Sequence, residues 1–465
     1  MDDVTTTDPA STEPSTEPAP VGQTATGQTA TGQTATGQTA TEPAPVGQAA
    51  ADRTGFTRRA LLGTAGAGLL VGAGAGVAGA VALDRADRAA GAAPANGALG
   101  AARVPFRGEH QAGILEPQQA RVQLAAFDLV DGAGRDGLHA LLQRWTKAAE
   151  RLTAGEPAEE FDDQVALDAG PCSLTLTVGF GAGLFDKAGL ADRRPPGLEP
   201  LPAFPGDALD PARGDGDLFV QIGADDALVA VHALRVLQRL AAGTAALRWQ
   251  SAGFARTPGA AARPVTGRNL MGQVDGTNNP KPGEDGFAAK VFCAAGGDQP
   301  GWLAGGSYLV FRRIRMLLEH WEALPVDRQE RVIGRRKADG APLGTPAGAG
   351  EHAPVDLSAQ GPDGALAIPS DAHIRVAAPT ANGGAAMLRR GFSYHDGLLP
   401  DGSPDAGLLF VAFQADPRKG FTPVQRKLSR GDGLSRFLRH EASGVYAVPP
   451  AAPVGGYLGG QLLEG

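Results

Sequence analysis

The chain has 465 residues, of which 42% are hydrophobic, and this length is sufficient for two ordinary domains with substantial cores. Its formal net charge of −8 argues against nucleic acid as a partner, because no basic stripe is present to bind phosphate. The two cysteines, Cys172 and Cys293, lack the spacing of a metal site, and one disulfide or two free thiols are both open.

The first 56 residues are a polar tract in which Gly-Gln-Thr-Ala-Thr recurs between residues 22 and 41. Such a tract has too few large apolar side chains to offset the entropy lost on folding. The repeat is also too short and too polar to stack into a solenoid. We therefore predict that residues 1–56 are disordered.

Residues 57–103 contain a paired arginine, Arg58 and Arg59, followed by an uncharged run of Ala, Gly, Val and Leu that ends at Leu83. This pattern is typical of a twin-arginine export signal followed by a linker. It predicts an extracellular, periplasmic or cell-envelope location. A retained membrane anchor is the alternative, because the run is long enough to span a bilayer, although its many small residues weaken insertion.

Between residues 104 and 260, strand and helix patterns interleave. Alternation of apolar side chains with polar or small ones, with a period of two, predicts a half-buried strand at 173–180. Asp225 or Asp226 is placed to cap a helix that ends near Ala242. The other predicted elements are a strand at 123–130, a helix at 137–152 and a strand at 217–223. The inward-facing positions predicted for the second helix are Val229, Val231, Leu234, Leu237 and Leu240.

A similar series follows between residues 261 and 465. The predicted elements are a strand at 306–314, a helix at 316–324, strands at 373–377 and 408–414, and helical segments between 424 and 440. Each half thus approximates a β-α-β-β-α-β order, which is the ferredoxin-like pattern. We predict an α+β protein with two such domains, 104–260 and 261–465.

Three short segments carry candidate chemistry. In the segment 269–280, Asp275 lies between Gly272 and Gly276, and these glycines allow positive φ and close approach to a flat ligand. An Asp-Gly pair alone most often marks a turn. Likewise, His373 in an apolar setting is by default a core histidine, and Arg389 with its neighbour Arg390 is by default a solvated pair.

The three segments together resemble a known family. Gly272-Gln-Val-Asp275-Gly276, Ala372-His373-Ile-Arg375 and Leu388-Arg389-Arg390-Gly391 occur in the order and approximate spacing of the dye-decolourising (DyP-type) peroxidases. The segment Phe106-Arg-Gly-Glu-His-Gln-Ala-Gly-Ile114 resembles the start of the secreted twin-arginine subgroup, which includes the deferrochelatase/peroxidase of bacterial iron uptake.

This resemblance implies two ferredoxin-like domains of the dimeric α/β-barrel type, with antiparallel sheets and one haem b per chain in the C-terminal domain. It implies that His373 is the axial iron ligand and that Asp275 and Arg389 are the catalytic residues on the opposite face. Arg390 is the alternative to Arg389 if the register is shifted by one. The other residues that the resemblance places around the haem are Arg375, Leu408, Phe410, Gly276 and Thr277.

The chemistry of hydrogen peroxide suits these residue types. One carboxylate near both oxygens can move a proton from one oxygen to the other, and a guanidinium can stabilise the negative charge that develops. We therefore predict a haem peroxidase that oxidises small aromatic donors, such as dyes and phenols, by one-electron steps. Because carboxylates titrate well below histidine, we expect an activity optimum on the acid side of neutrality.

Two other functions stay open at this point. One is a deferrochelatase-type protein that binds haem and releases its iron, with iron-uptake permease components as partners. The other is a haem-binding protein without turnover, against which the presence of both Asp275 and Arg389 argues. The resemblance also implies self-association into a homo-oligomer.

Overall fold

The computed structural model describes residues 99–261 and 265–465. The disordered tract, the export signal and most of the linker that we predict fall on residues 1–98, outside the described part. Within the described part, no helix is both long and apolar enough to cross a membrane. The domain boundaries given above stay predictions.

The N-terminal half has the predicted ferredoxin-like order. Its strands are β1 (Arg121–Leu129), β2 (Thr175–Phe180), β3 (Leu218–Ala224) and β4 (Ala245–Phe254), and its helices are α1 (Gly134–Thr153), α2 (Ala182–Lys187) and α3 (Ala227–Ala241). The antiparallel strand order is β2-β3-β1-β4, so that the first and third strands along the chain lie in the centre. This is the ferredoxin-like arrangement.

The two long helices of this half form as their sequences predict. The large apolar side chains of α1 are buried on one face, as its predicted helical spacing requires, and they include Leu138 and Trp145. Asp226 caps α3 by accepting hydrogen bonds from the backbone N–H groups of Leu228 and Val229. The prediction for Val231 is wrong, because this side chain is 43% exposed on the outer face of α3.

The C-terminal half repeats the arrangement with longer connections. Its strands are β5 (Ser307–Met316), β6 (Leu388–Arg389), β7 (Phe392–Leu398), β8 (Pro404–Gln414) and β9 (Leu438–Val448). Its helices are α4 (Phe287–Val291), α5 (Leu318–Glu322), α6 (Val326–Ile333), α7 (His373–Val376), α8 (Phe421–Gly431) and α9 (Gly460–Glu464). Strands β6 and β7 pair with the same edge of β8. Arg390 and Gly391 lie between these two strands and belong to neither.

The two halves share one closed sheet in the described part of the chain. Phe180 of β2 pairs with Ala447 of β9, and Phe254 of β4 pairs with Ser393 of β7. The order β5-β9-β2-β3-β1-β4-β7-β8 closes because β8 also pairs with β5. Closure removes the free sheet edges and encloses an aromatic core. The α+β prediction is therefore confirmed in the form of a ferredoxin-like barrel.

Three local predictions are wrong. The strand predicted at 373–377 is the short helix α7, although its β-branched residues favour a strand. The helical region predicted at 424–440 ends earlier, because β9 begins at Leu438. Strand β2 is buried along its whole length instead of half-buried, since it faces the barrel interior on one side and helices on the other.

The cysteine alternatives are also resolved. Cys172 and Cys293 are both buried and both free in the described structure. Burial is the largest influence on each thiol, and it raises the pKa of Cys293 to about 12. Neither cysteine therefore behaves as a reactive thiolate at neutral pH.

Candidate functional site

A cavity of about 1260 Å³ lies against the outer face of the C-terminal half of the barrel. Its walls come from β5, β8 and β9, from α7 and α8, and from the loop that precedes α4. The predicted site residues that line it are Asp275, Gly276, Thr277, His373, Arg389, Leu408 and Phe410. The fold thus brings residues that are far apart in sequence to the wall of one cavity.

Helix α7 presents His373 to the cavity with one ring nitrogen already engaged. His373 Nδ1 lies 2.7 Å from Oδ2 of Asp432, whose own side chain is only 2% exposed. Oδ1 of Asp432 accepts a hydrogen bond of 2.9 Å from the backbone N–H of Leu434, which fixes the carboxylate. No motif in the sequence marks Asp432 as a partner of His373.

The environment of His373 acts on its pKa in two directions. Burial is the largest influence and lowers the pKa, but the charge and the hydrogen bond of Asp432 outweigh it, so the pKa is raised. The positive charge of Arg389 opposes this rise, and the negative charge of Asp275 adds to it. Because Nδ1 is bound to Asp432, Nε2 is the nitrogen that is left for a ligand.

Asp275 stands on a loop that its flanking glycines make possible. Gly272 and Gly276 have φ of +75° and +110°, a region that residues with a side chain rarely adopt. The backbone N–H of Asp275 donates to the carbonyl of Gly267 over 3.0 Å, and Oδ2 lies 3.4 Å from Nδ2 of Asn269. The carboxylate is thereby held at the cavity wall.

Arg389 approaches Asp275 from strand β6. Its Nη1 lies 3.4 Å from Oδ1 of Asp275, and its Nε donates to Oδ1 of Asn279 over 3.2 Å. The amide of Asn279 also donates to the carbonyl of Arg389 over 2.7 Å, so that one side chain holds both backbone and guanidinium. Asn279 belongs to the polar segment Thr277-Asn-Asn-Pro280 that directly follows Asp275 and Gly276, and this segment is the sequence signal for it.

The neighbouring Arg390 points away from the cavity. Its guanidinium donates to the carbonyl of Glu116 and, over 3.1 Å, to Oε1 of Gln119. Burial lowers the pKa of Arg390 to about 10. Arg389 is therefore the arginine of this pair that faces the cavity.

Arg375 is the one predicted site residue that the structure does not bring to the cavity wall. Its guanidinium donates to the carbonyls of Leu357 and Ile368 over 2.6 and 2.8 Å. Arg335, which sequence analysis missed, is buried in the wall and donates to the carbonyls of Gly340 and Glu351. Burial, and next the positive charge of Arg389, lower the pKa of Arg335, so an anion between these arginines would be favoured.

These features fit a large flat cofactor with acidic substituents. The volume exceeds the roughly 300–1,000 Å³ of ordinary small-molecule sites. Apolar walls such as Leu408 and Phe410 suit a porphyrin ring, a free imidazole nitrogen suits its iron, and Arg335 suits its carboxylates. The residues present therefore fit haem.

Comparisons with known proteins agree with this arrangement. Residues 111–255 match the family described as "Dyp-type peroxidase, N-terminal", and residues 266–453 match "Dyp-type peroxidase, C-terminal". A dye-decolorizing peroxidase of Thermobifida fusca (strain YX) is 44% identical over 428 residues, which are 89% of this chain and 98% of the relative. A deferrochelatase of Escherichia coli (strain K12) is 38% identical over 377 residues, which are 78% of this chain and 88% of the relative.

The fold is similar to solved structures as well. Ferric DtpA from Streptomyces lividans is 58% identical to this chain, with a TM-score of 0.79. The similarity covers 80% of this chain and all of that structure.

Proposed function

The chain belongs to the DyP-type peroxidase family and is an oxidoreductase that uses hydrogen peroxide, and we propose that its cavity holds one haem b with Nε2 of His373 as the iron ligand. The observation that carries this proposal is that two hydrogen-bonded pairs line one cavity. His373 lies on α7 and contacts Asp432, which directly follows α8, whereas Asp275 lies on the loop before α4 and contacts Arg389 on β6.

His373 and Asp432 would hold the cofactor in a defined state. The carboxylate of Asp432 accepts the Nδ1 proton, which fixes the tautomer that leaves Nε2 free and raises the basicity of the ring. Arg335 would hold a haem carboxylate at the cavity wall. When bound, haem supplies the electrons that break the O–O bond and regains them singly from the donor.

Asp275 and Arg389 would handle the proton and the charge of hydrogen peroxide. A carboxylate oxygen of Asp275 takes the proton from one peroxide oxygen and returns it to the departing oxygen, which leaves as water. The guanidinium of Arg389 stabilises the negative charge that develops between these two events. Asn279 holds the guanidinium in place through its Nε, so little reorganisation is needed. Small aromatic molecules, such as dyes and phenols, are the proposed electron donors.

The proposal is tested by Asp275→Asn and Arg389→Leu in the haem-loaded protein. We expect each variant to keep its haem absorption band but to lose at least about 100-fold in kcat/KM for peroxide, the usual contribution of a proton-transferring group or a fixed donor. Asp285→Asn, at an exposed position before α4, is the matched control and should leave the rate unchanged. An Asp275→Asn variant as fast as the unmodified protein would contradict the assignment.

Similarity to the Escherichia coli deferrochelatase supports a second function, the release of iron from haem with the porphyrin left intact. The same cavity would serve both reactions. Incubation of the loaded protein with a reductant, followed by fluorescence detection of metal-free porphyrin, separates them. Release of metal-free porphyrin that persists in the Asp275→Asn variant would favour the second function. If the unmodified protein releases no metal-free porphyrin, the peroxidase function alone is favoured.

We also propose export by the twin-arginine route, which rests on Arg58 and Arg59 and the uncharged run behind them. The Arg58→Lys, Arg59→Lys double variant should accumulate in the cytoplasm when the protein is produced in a bacterium with this pathway. Equal export of the two forms in a cell-fractionation experiment would contradict the proposal.

A further inference from the structure

A second polar cluster lines the same cavity, and the peroxide chemistry does not use it. It consists of Arg312 on β5 and His440 on β9. The strand order β6-β8-β5-β9 separates His440 from Arg389 by three strand spacings, on the order of 14 Å. The cluster therefore faces a different part of the cavity from Asp275 and Arg389.

Arg312 is buried with most of its hydrogen-bonding capacity unused. Its side chain is 1% exposed, and Nη2 donates to Oδ1 of Asp207. Within the described ranges, 99–261 and 265–465, Nε and Nη1 are buried and have no hydrogen-bond partner. A buried donor without an acceptor costs about 1–3 kcal/mol, and more for a charged group, so this arrangement calls for an acceptor.

His440 adds a third donor at the same place. Gln425 Nε2 lies 3.4 Å from Nε2 of His440 and donates to it, which leaves the ring proton on Nδ1. This Nδ1 is buried and finds no acceptor among the described residues. Burial, together with the nearby charge of Arg312, lowers the pKa of His440 to about 3, so the ring is neutral at working pH.

The walls around these donors are aromatic. The guanidinium of Arg312 lies 5.6 Å from the ring centre of Phe204. The ring of Phe421 lies 6.1 Å from that of Phe204 and 5.8 Å from that of Phe410. Apolar walls lower the local dielectric constant, which strengthens the attraction between a guanidinium and an anion.

We propose that Arg312 and His440 form a binding site for a carboxylate group inside the cavity. Two carboxylate oxygens can accept from the free N–H groups of Arg312 and from Nδ1 of His440 together, whereas the ion pair with Asp207 uses only Nη2. The carboxylate belongs either to the porphyrin or to a free small acid. Only the porphyrin source rests on the proposed function.

The free-acid source is tested by calorimetric titration of the loaded protein with sodium formate at constant ionic strength. Saturable binding should weaken at least about 10-fold, or 1.4 kcal/mol, in His440→Leu and recover in His440→Gln, which keeps an N–H donor. Arg389→Leu should leave formate binding unchanged, whereas formate held near Asp275 would depend on Arg389. His395→Leu, at an exposed histidine of β7, is the matched control.

The porphyrin source is tested by comparing the affinity of the haem-free chain for haem and for haem dimethyl ester. If the site takes a porphyrin carboxylate, the ester should bind at least about 10-fold more weakly to the unmodified chain, and His440→Leu should narrow this difference. Thermal melts check that the variants fold.

The proposal is overturned if His440→Leu changes neither formate binding nor the difference between acid and ester. Failure of this kind leaves haem uptake and the Asp275→Asn result unaffected, so it is distinguishable from failure of the proposed function.

Discussion

His373 and Asp432 are 59 residues apart in sequence, yet their contact decides the electronic state of the proposed iron ligand. A carboxylate on Nδ1 makes the imidazole more basic, and this effect is lost when the acceptor is neutral. The role of His373 as a ligand is inseparable from the position of Asp432.

Asp432→Asn should therefore weaken the site without unfolding the chain. Loss of the anionic acceptor is expected to lower haem affinity or peroxide turnover about 10- to 100-fold, because outer partners of metal ligands have effects of this size. Haem titration and steady-state kinetics measure the two quantities. Asp371→Asn, at a nearby exposed carboxylate, is the control, and equal behaviour of the two variants would contradict the role of Asp432.

His440 gives a prediction for the pH dependence of stability. Its pKa is lowered to about 3 in the folded chain, whereas an unfolded histidine titrates near 6.5. Below about pH 6.5, His440 is protonated in the unfolded chain but stays neutral in the folded chain. The free energy of unfolding therefore falls as the pH drops toward 3. Above pH 6.5 this histidine contributes nothing to the pH dependence.

The slope from this one group reaches at most about 1.4 kcal/mol per pH unit. Urea denaturation of the haem-free chain at pH 7.5, 5.5 and 4.5, in a buffer free of carboxylates, measures it. His440→Gln should lose less stability on acidification than the unmodified chain. Parallel losses in the two proteins would show that His440 is protonated in the folded state.

Among the elements, the loop around Asp275 depends most on a single backbone conformation. Gly276 has φ of +110°, although a Cβ at this position would meet nothing closer than 3.5 Å, the methyl group of Thr266. Space is therefore available, and the obstacle to a side chain is the backbone angle. The loop can present Asp275 only while this angle is kept.

Gly276→Ala should consequently lower the free energy of unfolding by about 1–3 kcal/mol. It should also lower kcat/KM for peroxide, because relief of the backbone strain moves Asp275. Gly283→Ala is a matched control, since Gly283 also has a positive φ, of +90°, and open space around it. Both variants should melt at similarly lowered temperatures, but only Gly276→Ala should lose kcat/KM for peroxide. Equal activities would mean that the loop tolerates the change.

The sequence predicts well those helices and strands whose hydrophobic and capping patterns agree with their tertiary environment. Helix α1 is amphipathic against a sheet, and Asp226 caps α3, so local pattern and tertiary structure agree. The segment at His373 has a strand pattern but folds as a short helix, because it belongs to a cavity wall and not to a sheet. Local propensity is overridden there by packing.

At the scale of the whole molecule, the barrel joins the two halves of the chain. The connections run through Phe180 with Ala447 and Phe254 with Ser393, so that neither half retains a free sheet edge within the described residues. The cavity rests on β5, β8 and β9, which this closure holds in place. The site thus depends on the integrity of both halves.

Hydrogen exchange followed by mass spectrometry tests this dependence. The amides of β2 and β9 come from different halves and should exchange with the same opening free energy, since they separate only when the barrel opens. If the opening free energy of the β2 amides were several kcal/mol lower than that of the β9 amides, the two halves would open independently.

Sequence reasoning reached part of the site. Asp275, His373 and Arg389 lie in short motifs, and the structure brings all three to one cavity. Asp432 and Arg335 could not be found, because no motif marks them: Asp432 contacts His373, 59 residues away, and Arg335 reaches the cavity wall only in the folded chain. A motif carries local geometry, whereas the partners of its residues are set by the tertiary fold.

The most direct test of the central claim is a crystal structure of the haem-loaded protein, with the iron located by its anomalous scattering. We predict that Nε2 of His373 ligates the iron and that the carboxylate of Asp275 and the guanidinium of Arg389 face the opposite side of the porphyrin. Iron bound by His440, or Asp275 and His373 on the same side of the ring, would contradict it.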